Sequence, residues 1–167
     1  MGKKRKHKTL ESDLCSSSRD FRRLRPEDIA GMMRIEEKCF TGVDRFDLEY
    51  YISKLEEGWR AYVVGFPVRA VIWIAPFGRM LGIVSLATLP RYRRRGYADM
   101  LVEYAIALMR DGRYSGIKLE VRASNKGAIK LYLRHGFKKV KRKKNYYNDW
   151  EDALGMCRKN SVLSLGK

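Results

Sequence analysis

Along the middle of the chain the hydrophobic positions change period several times, and each change marks the edge of an element. Residues 20–25 read as a short opening strand. Pro26, pre-set for a first helical turn, predicts a helix to about Cys39. After Thr41-Gly42-Val43, Asp47 can cap a second helix to about Glu57. Residues 59–66 and 68–76, rich in β-branched and aromatic side chains, bracket Pro67 and predict a hairpin. Residues 81–89 are almost continuously apolar, the pattern of a strand covered on both faces.

The second half follows the same logic. Leu101, Tyr104, Ala105, Leu108 and Met109 fall on one stripe of a helix. Ile117, Leu119 and Val121 then alternate with Lys118, Glu120 and Arg122, which predicts a strand with one polar face. Asn125 opens a short helix with Ala128, Leu131 and Tyr132 inward, and Gly136 ends it. Strands over residues 137–147 and 152–158 flank a turn near Asn148. The order is strand, two helices, three strands, helix, strand, helix, two strands. It predicts a single α/β (α+β) domain on a mixed sheet.

Composition narrows the class. A chain of 167 residues suits one core rather than two. No apolar run approaches the roughly 20 residues of a bilayer span, and residues 1–8 lack the apolar segment of a secretory signal. Lys6 stands where a myristoylation motif needs Ser or Thr. The expected compartment is the cytoplasm, without membrane attachment. Three cysteines, with neither Cys-x-x-Cys nor His-x-x-x-His spacing, argue against a metal site or a disulfide framework. Cys39, at a helix end, reads as a small buried hydrophobe.

The net charge of +17 changes the picture more. So positive a field draws anions: nucleic acid, acidic surfaces or a polyphosphate cofactor. The charge gathers at Lys3–Lys8, at Arg91–Arg95 and at Lys138–Lys144. Residues 1–18 read as a basic mobile tail, 19–160 as the domain, and 161–167 as a short C-terminal tail.

Arg93-Arg94-Arg95-Gly96-Tyr97-Ala98 lies between the apolar strand and the amphipathic helix. A helix N-terminus there offers unpaired N–H groups and partial positive charge to a phosphate, and Gly96 permits close approach. The turn resembles the acetyl-CoA pyrophosphate loop of GNAT acetyltransferases. The run from Leu119 to Phe137 resembles the second half of that family's cofactor site. Asn145-Tyr146-Tyr147 with Glu151-Asp152-Ala153 narrows the likeness to the RimI-type N-terminal acetyltransferases.

The resemblance implies a GNAT fold with a mainly antiparallel sheet, and acetyl-CoA as acetyl donor. It implies that Leu86, Ala87 and Thr88 offer main-chain groups to the pantetheine arm. Arg94, Arg95, Gly96, Tyr97, Ala98 and Asp99 would cradle the pyrophosphate, and Asn125 would hydrogen-bond the cofactor or simply cap its helix. Glu120 is implied as general base, against a plain ion pair with Lys118 or Arg122. Tyr132 is implied as the acid that protonates the leaving thiolate, against a core tyrosine. Phe40, Val43 and Phe46 in the first inter-helix loop, and Tyr146 and Tyr147 on the last hairpin, would wall a peptide slot. One of the two tyrosines should face the core, since adjacent strand residues point opposite ways.

Thr41–Phe46 lacks the Pro-Trp or Pro-Tyr pair expected of the family. The expected activity is acetyl transfer to the α-amine of protein or peptide N-termini by direct attack. The alternatives are a lysine or small-molecule amine as acceptor, or a ribosome- or RNA-binding module that works through the basic tail or the Lys138–Lys144 run.

Overall fold

In the computed structural model, residues 21–40 and 42–161 are described, so the 1–18 tail and all of the 161–167 tail beyond Ser161 lie outside the described residues. Strand β1 (Phe21–Arg23) leads through a 3-10 turn at Pro26–Asp28 into α1 (Ile29–Cys39). A second 3-10 turn, Gly42–Asp44, precedes α2 (Leu48–Glu56), whose cap is Asp47 accepting from Tyr50 N. Three antiparallel strands follow: β2 (Arg60–Val64), β3 (Ala70–Phe77) and β4 (Met80–Thr88). Helix α3 (Tyr97–Leu108) runs on into a π turn at Met109–Arg113. Then come β5 (Gly116–Arg122), α4 (Lys126–Arg134), β6 (Lys138–Lys143) and β7 (Ala153–Lys159). The expected element order and the mixed α/β class are both found.

All seven strands form one open sheet in the order β1-β2-β3-β4-β5-β7-β6. Only β4 and β5 run parallel, with α3 as their crossover. Alternation sorts the side chains to two faces. Ile72, Ile74, Ile83, Ile117, Leu119 and Val121 meet Leu101, Ala105 and Tyr132 of α3 and α4. On the other face Val63, Val71, Trp73 and Ala87 meet Met32 and Ile35 of α1 and Tyr51 of α2. Trp73 stacks on Tyr51 with centroids 4.5 Å apart.

Two sequence expectations are revised. Strand β4 is not covered on both faces throughout, for Val84 is exposed. The strand expected over residues 137–147 ends at Lys143. Asn145 takes a left-handed φ of 51°, and the N–H groups of Tyr146 and Tyr147 both donate to the Glu151 carbonyl at 3.1 Å instead of to a ladder.

The loop between α1 and α2 is held by a residue that sequence reading passed over. Glu36 is only 3% exposed. Its Oε1 accepts from Phe46 N at 2.9 Å and its Oε2 from the Tyr51 hydroxyl at 2.8 Å. Burial pushes the Glu36 carboxyl above its ordinary range, against these two hydrogen bonds and the nearby charge of Arg45. Glu36→Ala should leave both donors unmatched, the Tyr51 hydroxyl in a buried site, at about 1–3 kcal/mol. Thermal unfolding should drop by roughly 2–4 °C for each kcal/mol in a chain of this size. An unchanged midpoint would mean that other contacts hold the loop.

Candidate active site

The sheet splits at its centre. Strands β4 and β5 pair only where Met80–Ile83 meets Gly116–Leu119. Beyond that, β4 continues to Thr88 against β3 alone, and β5 to Arg122 against β7 alone. The cause is local: Trp73 pairs with Ser85 and Ile74 with Ile83, so Val84 is an extra residue in β4. A bulge bends its strand and strengthens the twist. Two strand edges therefore diverge with main-chain groups outside any ladder, open to an extended ligand.

Leu86, Ala87 and Thr88 lie on that edge. Leu86 packs toward α3, and Ala87 toward α1. The Thr88 carbonyl accepts from Arg93 Nε at 3.2 Å and from Cys39 Sγ at 3.4 Å. Its hydroxyl is buried without a partner among the described residues. Cys39 is half-buried, close to its expected role.

The arginine turn stands at the end of this edge. Arg94 and Gly96 take left-handed φ values of 61° and 81°. Gly96 is the N-cap of α3, and no side chain caps the first N–H groups of the helix. Those groups, with exposed Arg94 and Arg95, suit an anion. Tyr97 is turned inward, its hydroxyl accepting from Arg69 Nη1 at 2.9 Å, and Ala98 packs on the core. The Asp99 carboxylate faces α4, where it meets Arg134 Nη2 at 2.6 Å and His135 Nε2 at 2.9 Å. Partial burial opposes ionisation there, but these two partners hold its carboxyl below the usual range. The side chains of Tyr97 and Asp99 thus brace the turn, while no side chain caps the N–H groups of the first helical turn.

Glu120 stands on the polar face of β5, as expected, but its partner is neither Lys118 nor Arg122. Lys143 Nζ on β6 donates to Oε1 at 2.7 Å. That hydrogen bond raises the pKa of Lys143. Tyr132 is buried in α4, its ring 5.5 Å from that of Phe137. Its hydroxyl makes no hydrogen bond among the described residues, and burial first, then Tyr147, pushes the phenol well above its ordinary value. Asn125 caps α4, with Oδ1 accepting from Ala128 N at 3.0 Å.

Two aromatic segments flank the opening. Phe46 is 41% exposed and stacks on Tyr50 at 4.1 Å, whereas Phe40 packs against the α1–α2 core. Val43 sits in the Gly42–Asp44 turn. Across from them, Tyr146 is 47% exposed and Tyr147 half-buried. Neither is a core residue, because both lie in the β6–β7 loop rather than in a strand. Burial pushes the Tyr147 phenol up to about 12, against the opposing charge of Arg122.

Arg122 joins the two sides. Its guanidinium binds Asp44 from the first loop, together with Asp149 at 2.8 Å and Glu151 at 2.7 Å from the second. It also lies 4.0 Å from the Tyr147 ring centroid. Glu151 Oε1 accepts from Ser124 N at 2.9 Å, and hydrogen bonds from Ser124 and Arg122 hold its carboxyl at about 2. Sequence reading missed this cluster, whose members come from three distant segments. Glu36 did leave a signal, as a carboxylate on the apolar Met32–Ile35–Cys39 stripe.

The comparisons agree with this geometry. Residues 19–137 match the Acetyltransferase (GNAT) family. The chain is 35% identical over 158 residues to an N-alpha-acetyltransferase of Saccharolobus solfataricus, covering 84% of this chain and 93% of that one. It superposes on the ribosomal-protein-S18-alanine N-acetyltransferase of Escherichia coli with a TM-score of 0.75 at 25% identity, over 85% of this chain and 94% of the other. The Arabidopsis thaliana NAA60 structure in complex with acetyl-CoA has the same fold, with a TM-score of 0.75 at 19% identity over 85% and 98% of the two chains. With its divided sheet and its uncapped helix at the arginine turn, the chain belongs to the GNAT family and is an acetyl-CoA-dependent acetyltransferase of RimI-like kind.

Proposed function

We propose that the protein transfers acetyl from acetyl-CoA to the α-amine of protein or peptide N-termini, by direct attack and without an acyl-enzyme. The observation that carries this reading is the run of the β4–β5 split from the arginine turn to Glu120, with an aromatic loop on either side. A narrow acceptor site between two loops suits a chain end. The similarity to N-terminal acetyltransferases supports the same acceptor.

When bound, acetyl-CoA supplies an activated acetyl thioester. The N-terminus of α3 with Arg94, Arg95, Gly96, Ala98 and the main chain of Asp99 would hold its pyrophosphate. Leu86, Ala87 and Thr88 would hold the pantetheine amides along the open edge, and the buried Thr88 hydroxyl gives that edge a polar group in need of a partner. Asn125 would contribute its amide nitrogen, since its oxygen is used by the cap.

Glu120 would accept the proton of the incoming amine. It already holds an ammonium, that of Lys143, at hydrogen-bond distance. The substrate would therefore take over a contact the carboxylate is built to make. An α-ammonium has a pKa of about 7.7–8.0, against about 10.4 for lysine, so one carboxylate suffices. Tyr132, a phenol and therefore protonated at neutral pH, would give its proton to the departing sulfur.

Mass spectrometry of peptides offered with free or blocked N-termini tests the acceptor. Acetyl should appear on free α-amines only. Acetylated lysines in N-terminally blocked peptides, with free α-amines untouched, would overturn the reading. For the mechanism, Glu120→Gln should lower kcat by roughly 10²–10⁴ at neutral pH. The deficit should shrink as pH rises and the amine loses its proton unaided. Tyr132→Phe should slow turnover with acetyl-CoA affinity unchanged. Normal neutral-pH rates in both variants would remove these assignments.

Arg122 gives a separate expectation. Arg122→Lys keeps the charge but loses the fork that spans three carboxylates. The two loops should then part, raising KM for peptide roughly tenfold, the worth of about one charged hydrogen bond. Acetyl-CoA affinity should stay as it was. Equal losses for both substrates would point to general unfolding of the site.

A further inference from the structure

Among the described residues, half of one sheet face carries no helix. The pairing registers set side chains of β4, β5, β7 and β6 in rows across it. One row runs Gly82, Lys118, Cys157, Lys138, and the next runs Glu120, Gly155, Lys141. Gly116 and Lys159 form another pair. Strand alternation turns all of these away from Ile117, Leu119 and Met156, which face the core under α3 and α4. Helices α1 and α2 lie on this same face but pack over β2, β3 and the far end of β4.

What occupies the bare half is small in the middle and cationic around it. Gly82 and Gly155 lack side chains and are covered by Phe77 and Lys141, and Cys157 beside them is half-buried. The Phe77 ring, 46% exposed, lies across Gly82, so that a Cβ there would fall 2.3 Å from it. The Lys118 ammonium stands 4.5 Å from the centroid of that ring. Lys138, Lys141 and Lys159 are exposed and make no ion pair among the described residues. The carboxylate in these rows, Glu120, is already matched by Lys143. The face is thus positive in a chain whose net charge is +17.

We infer that this helix-free face of β5, β7 and β6, with Phe77 at its margin, binds single-stranded RNA. Lysines in adjacent strand rows stand about 5 Å apart per strand and can follow a phosphate backbone. An exposed ring at the margin of a helix-free sheet face offers a base a surface to stack on, which an acidic peptide would not need. Because Glu120 shares the face, RNA held there lies beside the acceptor site. The inference does not depend on which amine is acetylated.

The test uses the full chain, without acetyl-CoA, and a short fluorescein-labelled single-stranded RNA followed by anisotropy at rising KCl. Wild-type affinity should fall steeply with salt. Replacing Lys138, Lys141 and Lys159 together by Gln should flatten the log–log slope by about 2, at roughly 0.7 per phosphate contact. Phe77→Ser should weaken binding about tenfold at fixed salt and leave the slope alone. Circular dichroism and peptide acetylation should match wild type in both variants, separating lost binding from lost fold. Wild-type affinity and slope in the lysine variant would overturn the inference, as would no RNA binding at all. Capture of polyglutamate but not RNA would overturn it in favour of an acidic protein partner.

Discussion

One constraint underlies the architecture: β4 carries one residue more than β3 can oppose, and its pairing with β5 stops where that residue sits. The bulge at Val84 ends the parallel β4–β5 ladder after Ile83, and from there β4 pairs with β3 and β5 with β7. An interior strand pair would normally close every main-chain group. Here the ladder is given up at the middle of the sheet, where the cost is highest, and the opening is kept from collapsing by two separate cores. Helices α3 and α4 hold one side of the sheet, α1 and α2 the other. Neither could fill the gap without leaving its own apolar partners exposed.

Polar contacts then fix what surrounds the opening. Asp99 ties the first turn of α3 to the last turn of α4 through Arg134 and His135. Glu36 fixes the first loop from below. Arg122 ties that loop to the β6–β7 loop with one side chain. Charges with so many partners are over-determined. Removal of any one carboxylate leaves the guanidinium still engaged, whereas removal of Arg122 leaves three like charges together.

Much of this was legible in the sequence, for reasons that can be named. The strand at Ile117–Val121 alternates cleanly because one of its faces is bare, and the Asn125 cap is a local signal. The arginine turn is local too: chain order alone puts it between a strand and a helix. What the sequence hid depends on pairing. The bulge exists only relative to β3, so continuous apolar character in β4 could not reveal it. The partners of Arg122 come from positions 44, 149 and 151, and no spacing connects them. Tyr146 and Tyr147 were misread as strand residues because Glu151, later in the chain, captures both their N–H groups.

The extra residue in β4 also changes which of its side chains serve which core. Before it, odd-numbered Leu81 and Ile83 face α3 and α4; after it, even-numbered Leu86 does, while Ala87 turns to α1. The strand is thus read in two phases, like a text whose frame shifts once in mid-line. Both phases keep apolar side chains on the α3–α4 face, and the shift lets Ala87 reach the opposite core. Loss of that single position would put the side chains after it out of step with both cores.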